Sequence, residues 1–370
     1  MSRVIVRKAS YEYRSLKKHV FEMLEAFIGD AIAGNSRVVI KPNLLAPAAP
    51  ERAMLTHPLV VRAVAEYVLD RGAHPQISDS QAMGSFRKLL QVSGIAEACE
   101  GLDVTFKEFE ESVEVDVGEP FHRIHLARDA MEADLLINLP KLKTHSQMLM
   151  TLGVKNLFGC VVGFRKPQWH MRTGIDRELF ASLLVKIYRT LRPAVTILDG
   201  ILAMEGPGPG KGGIPREIGV LVAGDDAFAV DAAVCEMIGL EPERLLTLRA
   251  AMNTGFSAGA VEREGSLPRI DDFRLPRITP VIFGPPWAHG FLRRYLVQRP
   301  VVNASLCRLC GDCCKYCPAG AITRESKAVA FDYDKCIRCY CCLEVCPHGA
   351  LKAEEPTLGR VVAWSMQKLK

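Results

Sequence analysis

The chain contains 370 residues, of which 49% are hydrophobic and 24% are charged, and its formal net charge is +5. These values are typical of a soluble globular protein with one large and one small domain, or with three domains. The modest charge is spread without blocks of Lys and Arg, which argues against nucleic-acid binding. No apolar run reaches the roughly 18–20 residues of a membrane span, and the N-terminal residues predict a strand rather than a signal peptide.

Short β-branched runs alternate with helical patterns through roughly the first 240 residues, which predicts an α/β domain with a mostly parallel sheet. The predicted strands are 4–6, 38–40, 76–78, 103–106, 135–138, 195–198 and 219–222. The predicted helices are 16–27, 58–71, 86–98, 176–191 and 229–238. Asp176 is expected to cap the fourth helix, and Pro193 is expected to end it.

Polar residues follow five of these strands at the point where each strand ends. They are Lys41 and Asn43, Asp79, the segment 141–145, Asp199, and the pair Asp225 and Asp226. In open α/β sheets, ligands bind outside the carboxyl ends of the strands, so we expect these side chains to share one rim. A solvated turn is the alternative for each of them taken alone.

A basic pocket is predicted at this rim. Lys155 and Asn156 lie between apolar residues, where a merely solvated lysine is not expected, so something anionic should meet them. The side chains expected to bind a carboxylate or phosphate are those of Lys41, Asn43, Lys143, His145, Lys155 and Asn156.

Carboxylates and imidazoles complete the predicted site. The aspartates expected either to orient the lysines or to hold a hard cation are Asp79, Asp199 and Asp231. His145 and His170 are the histidines best placed for proton transfer, and a structural role is the alternative for each. His170 falls in the segment 165–170, which is predicted to be a loop.

Residues 206–213 form a glycine-rich loop with a formal G-x-G-x-x-G pattern. A dinucleotide fingerprint must precede a helix, whereas another strand is predicted here, and a Walker A loop would need different spacing. The loop is therefore predicted to be a surface hairpin, with a lid over the rim as the alternative. No NAD, flavin or ATP motif is recognised.

The chain is expected to divide into four parts. Residues 1–255 form the α/β domain, 256–299 an irregular connector that packs the two domains together, 300–352 a small α+β domain, and 353–370 a C-terminal tail.

The small domain carries the pattern C-x2-C-x2-C-x3-C-P twice, which is the signature of a bacterial ferredoxin with two [4Fe–4S] clusters. Three cysteines of one run and the fourth of the other bind each cluster. The predicted ligands are Cys307, Cys310, Cys313 and Cys346 for cluster 1, and Cys336, Cys339, Cys342 and Cys317 for cluster 2. Zinc and disulfides are the alternatives, but zinc requires neither the third cysteine nor a complete second copy.

Five further cysteines lie outside this pattern. Cys314 and Cys341 lie beside ligands and are interpreted as packing residues, with ligation of a rearranged cluster as the alternative. Cys99, Cys160 and Cys235 lie in apolar surroundings and are predicted to be buried thiols. Oxygen-sensitive clusters and unpaired thiols together predict a reducing cytoplasm.

Five segments of the large domain carry a recognisable set of motifs, at 41–43, 56–58, 134–145, 153–159 and 205–209. They resemble the prokaryotic family known only as domain of unknown function 362, whose members often have a C-terminal two-cluster ferredoxin domain. Lys-x-Lys-Thr-His at 141–145 and Val-Lys-Asn-Leu-Phe-Gly at 154–159 are the specific parts. The resemblance implies an iron–sulfur protein of oxidoreductase type and supplies no substrate.

Three functions are compatible with these features. The first, which we favour, is a ferredoxin-coupled oxidoreductase acting on an anionic small molecule and served by a redox partner protein. The second is an electron carrier whose large domain docks a partner reductase, and the third is a scaffold that passes a metal or cluster to a client. For the first, the expected catalytic residues are Lys143, His145 and Lys155, and the expected substrate-binding residues are Lys41, Asn43, Asp79, Asn156, His170 and Asp199.

Overall fold

The computed structural model describes residues 2–163, 165–257, 261–276, 287 and 289–360. In chain order its strands are β1 (Ser2–Lys8), β2 (Arg37–Pro42), β3 (His74–Ile77), β4 (Thr105–Phe106), β5 (Ser112–Asp116), β6 (Arg123–Ala127), β7 (Leu135–Leu139), β8 (Lys141–His145), β9 (Leu149–Thr151), β10 (Val195–Glu205), β11 (Ile214–Gly224), β12 (Val261–Glu264), β13 (Arg299–Val302), β14 (Ile322–Arg324), β15 (Val329–Phe331) and β16 (Leu351–Glu354). Its helices are α1 (Tyr13–Ile28), α2 (Pro58–Asp70), α3 (Phe86–Val92), α4 (Ile95–Ala98), α5 (Arg128–Met131), α6 (Gly153–Asn156), α7 (Arg165–Thr173), α8 (Arg177–Leu191), α9 (Ala227–Met237), α10 (Leu246–Met252), α11 (His289–Tyr295), α12 (Asp312–Lys315) and α13 (Cys341–Glu344).

Ten of the described strands form one large sheet. Its main order is β12-β1-β11-β10-β7-β2-β3-β4, with β8 paired to β10 and β9 paired to β8. Six of these pairs are parallel, including the run β10-β7-β2-β3-β4. The pairs β1–β11, β10–β11 and β8–β9 are antiparallel. The prediction of a mostly parallel α/β sheet is confirmed.

Helices cover both faces of the large sheet, because its strands are apolar on both sides. Ile5 and Val38 pack with α1 and α2 in one buried layer. Their neighbours Val4 and Val39 pack with α8 and α9 in the other. Burial on both faces is what the near-continuous hydrophobic runs of parallel strands require.

Local signals define several helix ends. Asp176 Oδ1 accepts a hydrogen bond from the backbone N–H of Leu179 at 2.9 Å, and α8 ends two residues before Pro193, as predicted. The helix predicted at 86–98 is divided into α3 and α4, which corrects the prediction. Gly94 lies between them with φ +74°, a left-handed conformation that glycine adopts at little cost.

Two segments that lie outside the predicted strands and helices have regular structure. Residues 141–145 are strand β8, because they pair in parallel with the long strand β10. Residues 165–170 belong to helix α7. Within the expected connector, β12 pairs with β1, so the large sheet extends beyond the boundary expected at residue 255.

The small C-terminal domain is an α+β unit, as predicted. Strand β13 pairs with β16 and β14 with β15, both antiparallel, and two short helices complete the domain. Residues 258–260, 277–286 and 288 of the expected connector lie outside the described residues, as do residues 361–370 of the expected tail. Across the part of the chain that is described, no helix has the length and apolar character needed to cross a membrane.

Candidate functional site

A cavity of about 240 Å³ lies between the large domain and the cysteine-rich domain. Eight of the nine predicted catalytic and substrate-binding residues line it, namely Lys41, Asn43, Asp79, Lys143, His145, Lys155, Asn156 and His170. The small domain supplies Tyr316, Cys341, Glu344 and Val345 to the same wall. The rim expected at the strand ends is therefore one half of a pocket that the small domain closes.

Lys143 enters the cavity from β8 and is held by a chain of buried amides. Its ammonium donates to Asn43 Oδ1 at 2.6 Å and to the carbonyl oxygen of Met54 at 2.7 Å. Asn43 Nδ2 donates to Asn156 Oδ1 at 2.8 Å, and Asn156 Nδ2 donates to Asn138 Oδ1 at 2.8 Å. This sequence of donors fixes the position of the lysine and leaves it with neutral partners.

The pKa of Lys143 is lowered to about 7, mainly because burial disfavours the charged ammonium. The carboxylate of Glu344 opposes this shift, and the ammonium of Lys155 adds to it. Lys143 therefore exchanges a proton near neutral pH, which an exposed lysine does not do.

The ammonium of Lys155 has neither a hydrogen-bond acceptor nor an ion-pair partner among the described residues. It lies over the ring of Phe158, 5.7 Å from the centroid. Burial lowers its pKa, and the carboxylate of Glu344 opposes that shift. Lys155 is half-buried, and a cation in this setting without a partner is costly, so it is the group best suited to meet a bound anion.

His145 is buried, and its tautomer follows from its contacts. Nδ1 accepts hydrogen bonds from the backbone N–H groups of Gln147 at 3.1 Å and Met148 at 3.3 Å, so the proton resides on Nε2. Nε2 lies 3.1 Å from Glu344 Oε1, although off the angle of a well-formed hydrogen bond. Burial, reinforced by Lys155, lowers the pKa of His145 to about 4, so the imidazole is neutral at pH 7.

His170 lies on α7 and packs against aromatic rings. Its ring centroid is 4.5 Å from that of Phe180 and 5.5 Å from that of Phe158. Burial lowers its pKa to about 3. Within the described structure, His170 Nδ1 and the hydroxyl of Thr151 are buried without a hydrogen-bond partner. Both residues line the cavity, so a ligand could satisfy these atoms.

Lys41 and Asp79 form a buried ion pair with an Nζ–Oδ1 distance of 3.0 Å. Asp79 also accepts hydrogen bonds from the backbone N–H groups of Leu44 at 2.9 Å and Ser80 at 2.8 Å. Gly159 allows this pair to form, because a Cβ there would lie 2.2 Å from Asp79 Oδ1. The expectation that Asp79 orients a lysine therefore agrees with its contacts.

Asp199 does not reach the cavity, which corrects the prediction for this residue. It lies opposite Lys141 in the β10–β8 pair, and that lysine binds its carboxylate at 2.7 Å. Tyr11 also donates its hydroxyl to Asp199, at 2.9 Å. The strand register thus pairs Asp199 with Lys141, which does not line the pocket.

Asp231 and Asp226 also lie outside the cavity lining. Asp231 accepts hydrogen bonds from the backbone N–H groups of Gly153 at 2.7 Å and Val154 at 3.3 Å, at the start of α6. Asp226 caps α9 by accepting from the N–H of Phe228. No three His, Cys, Asp or Glu side chains of the described residues come together as a site for a single metal ion. The hard-cation site proposed from three aspartates is therefore not formed.

The loop 206–213 joins β10 to β11 and packs between the two domains. The carbonyl oxygen of Gly208 accepts hydrogen bonds from the N–H of Ser146 at 3.1 Å and from its hydroxyl at 2.8 Å. Lys211 donates its ammonium to the carbonyl oxygen of Pro347 in the small domain. The loop is a hairpin, as predicted, but it contacts the small domain and its residues 208–210 are buried, so it is not a free lid.

The first group of cysteines comes from both runs. Cys346 lies close enough to Cys310 and Cys313 to interact with both electrostatically. With Cys307 these three residues line a small cavity of about 20 Å³. The backbone N–H of Ala350 donates to Cys346 Sγ at 3.3 Å. These are the four residues that the spacing predicts for cluster 1.

The second group takes three cysteines from the second run and one, Cys317, from the first. Cys317 interacts electrostatically with Cys336 and Cys339, and Cys342 interacts with all three. The backbone N–H of Ala321 donates to Cys317 Sγ at 3.3 Å. Two sets of four thiols with N–H groups directed at sulfur fit the donor set of [4Fe–4S] clusters.

All thirteen cysteines lie in the described residues, and none forms a disulfide. Cys99, Cys160 and Cys235 are buried thiols, as predicted. Cys341 lines the cavity, so its side chain is in a position to contact a bound ligand as well as to pack beside the cluster ligands.

Sequence reasoning missed Glu344 and Tyr316, because neither lies in the large domain where the site was sought. The repeat holds a weak signal for Glu344. In the first run Lys315 occupies the equivalent place, two residues before the fourth cysteine, so the two copies differ in charge at this point.

Comparison with known proteins gives two family matches. The model described as domain of unknown function (DUF362) matches residues 38–236, and that described as a 4Fe-4S dicluster domain matches residues 299–347. A relative from Synechocystis sp. (strain ATCC 27184 / PCC 6803 / Kazusa), named thylakoid-associated protein sll1697, is 39% identical over 290 residues. That alignment covers 76% of this chain and 90% of the relative.

Among solved structures, the lactate racemase apoprotein from Thermoanaerobacterium thermosaccharolyticum aligns with a TM-score of 0.36 and 14% identity. The alignment covers 54% of this chain and 50% of that chain. Similarity at this level carries no argument about the site.

Proposed function

Because the chain belongs to the DUF362 family and carries a [4Fe–4S] ferredoxin-type domain, we propose that it is an iron–sulfur oxidoreductase. It would move electrons between an external one-electron carrier protein and an anionic small molecule held in the interdomain cavity. One observation carries the proposal: Cys341 and Tyr316 line the same cavity as Lys155. Each directly precedes a proposed ligand of cluster 2, Cys342 or Cys317.

The proposed clusters, two in number and bound by the eight cysteines named above, exchange electrons one at a time when present. The chain's own residues provide the rest of the site. The small domain closes the cavity over the lysines and so limits the access of water. Cys310 is exposed, whereas Cys339 and Cys342 are buried, so we propose that the external carrier approaches on the side of cluster 1.

The charge of the cavity supports an anionic ligand. Among the described lining residues, four lysines (Lys41, Lys143, Lys155 and Lys166) face three carboxylates (Asp79, Glu108 and Glu344). Lys41 is already paired with Asp79, whereas Lys155 has no partner among these residues. The volume of about 240 Å³ corresponds to about eight water molecules at their volume in the liquid, which suits a small metabolite.

We assign proton exchange to Lys143 rather than to His145. A group that gives or takes a proton at neutral pH works best when its pKa is near that pH. The pKa of Lys143 is lowered to about 7, whereas that of His145 is lowered to about 4. His145, with its proton on Nε2, would instead orient the carboxylate of Glu344 in the cavity wall.

The buried free thiols suit the reducing cytoplasm that we propose for this protein. A diffusible carrier would not need the cavity between the domains, and this difference favours an enzyme over the carrier alternative.

The test uses the full chain, reconstituted and kept anaerobic, reduced with dithionite and then mixed with pyruvate, fumarate or crotonate. Reoxidation is followed by visible absorption in wild type, Lys155→Met and Lys18→Met. Lys18 is a matched control because its side chain is 73% exposed on α1. For any anion that reoxidises wild type, Lys155→Met should raise the half-saturating concentration roughly 10- to 100-fold, the effect of losing a charge-assisted hydrogen bond.

Equal half-saturating concentrations in wild type and Lys155→Met would contradict the proposal. A carrier would reduce cytochrome c at the same rate in both proteins, with no effect of any anion. A scaffold would instead lose iron to an added apo-ferredoxin. Mass spectrometry of molecules that co-purify with the anaerobic protein would name the substrate class directly.

A further inference from the structure

Arg338 is a buried cation without a partner. It lies between Cys336 and Cys339 in the second cysteine run, and it is 1% exposed. Its three guanidinium nitrogens have no hydrogen-bond partner among the described residues. The guanidinium carbon lies 5.2 Å from the centroid of the Tyr333 ring. An arginine cannot lose its proton to relieve this burial, so an anion is needed nearby.

The cysteines of cluster 2 are the nearby source of negative charge. Tyr333 and Tyr340 each interact with Arg338 and also with Cys336 and Cys342. The guanidinium therefore lies among the groups that surround this set of thiols. A [4Fe–4S] cluster with four thiolate ligands carries net negative charge and would supply the missing counter-charge.

The two cysteine runs differ at this position. In the first run Leu309 stands where the second has Arg338, and both residues adopt a left-handed backbone, with φ of 53° and 59°. Arg308 is the arginine of the first run, and its side chain is exposed. Water and salt screen an exposed charge, whereas a buried charge acts on its neighbour with little screening.

Other cations near the first run also reach solvent. Lys315 and Arg324 are exposed, and Lys211, whose ammonium binds the Pro347 carbonyl, is half-buried. Around the second run, Glu344 supplies a half-buried carboxylate that faces His145 in the cavity, and the buried guanidinium of Arg177 interacts with Tyr340. Within the two runs themselves, the main electrostatic difference is the charge of Arg338, which is buried and has no hydrogen-bond partner among the described residues.

We propose that Arg338 is the buried counter-charge of cluster 2 and makes it the more easily reduced of the two clusters. The inference rests on the two clusters of the proposed function, but not on its substrate. Reduction adds one negative charge, which a fixed cation stabilises, so the potential rises. The site that electrons favour is then the one beside Cys341 and the cavity, rather than the one beside exposed Cys310.

The test is a redox titration of the iron-loaded full chain, monitored by electron paramagnetic resonance, with no small molecule added. Arg338→Leu places in the second run the residue that the first run has. It should reduce the equilibrium constant for reduction of cluster 2 at least tenfold. The higher of the two potentials should therefore fall by about 59 mV or more for one electron. Arg338→Lys should retain most of the potential, and Arg308→Leu should leave both potentials unchanged. Unchanged potentials in Arg338→Leu would overturn the proposal.

A second measurement decides the matter if Arg338→Leu fails to hold iron. The half-reduced protein should carry its unpaired electron on cluster 2. The resonance spectrum of this state should therefore change in Cys342→Ser and remain as in wild type in Cys313→Ser. The reverse pattern would overturn the proposal. Because neither experiment uses a substrate, failure of the anion screen leaves both results interpretable.

Discussion

Replacing Lys143 by methionine removes a buried ammonium while keeping a side chain of similar length. The lysine is 1% exposed, and burial lowers its pKa from 10.5 to about 7. The unfolded chain therefore binds this proton more tightly than the folded protein does, so between these two values wild-type stability rises with pH. Lys143→Met lacks this contribution. The amount by which the unfolding free energy of wild type exceeds that of Lys143→Met should therefore increase as the pH rises.

The magnitude follows from the pKa shift. Each pH unit above the folded-state pKa recovers about 1.4 kcal/mol, so wild type should gain about 2 kcal/mol of unfolding free energy over Lys143→Met between about pH 6.5 and about pH 8.5. At any single pH the comparison also includes the lost hydrogen bonds to Asn43 and Met54. The pH dependence isolates the protonation of Lys143, because every contribution that does not depend on protonation cancels between the two pH values.

The assay is anaerobic thermal unfolding of wild type, Lys143→Met and the exposed control Lys18→Met at both pH values. For a domain of this size, the relative shift in Tm should be roughly 4–8 °C. Lys18→Met should follow wild type. If the Tm of Lys143→Met ran parallel to that of wild type across this range, Lys143 would not have the lowered pKa, and its assignment to proton exchange would fail.

Two further changes test the packing and the ligand assignment. Gly159→Ala should separate Lys41 from Asp79, because the added Cβ would lie 2.2 Å from the carboxylate and 2.5 Å from the ammonium. We expect a loss of about 3–5 kcal/mol of unfolding free energy, measured beside Gly34→Ala, where a Cβ meets nothing within 4 Å. Cys341→Ala should keep its full iron and sulfide content, whereas alanine at a ligand of cluster 2 should remove about half of the iron. Iron loss from Cys341→Ala would refute the ligand assignment.

Much of the large domain could be predicted because its signals are local. The side chain of Asp176 and the ring of Pro193 define the ends of α8 without reference to distant residues. Lys155 could be assigned to the pocket because its apolar neighbours in the sequence exclude a solvated position. The carboxyl ends of parallel strands then bring such residues to one edge of the sheet.

The errors arose where pairing between distant segments decides the outcome. Residues 141–145 hold one β-branched residue, Thr144, and become a strand through their pairing with β10. That same pairing sets Asp199 opposite Lys141. No pattern within either segment reveals this register.

The cavity wall formed by the small domain was not predictable for a related reason. Glu344 and Cys341 belong to a cysteine run whose spacing is fully explained by metal ligation, so the charge difference between Lys315 and Glu344 is the only hint of a second role. Their part in the pocket depends on how the two domains dock. The contact is close at Gly210 in the loop 206–213, where a Cβ would lie 3.2 Å from the carbonyl oxygen of Leu343.

The shared wall links cofactor loading to ligand affinity. Tyr316 and Cys341 keep their places only if the chain segments between the cysteines are ordered, and metal binding is what orders such segments in small domains with few other contacts. We therefore expect a chain that has not received its iron to present a more open groove in place of the pocket. Under the proposed function, affinity for the small molecule would then measure maturation, so immature copies would not sequester a substrate that they are unable to convert.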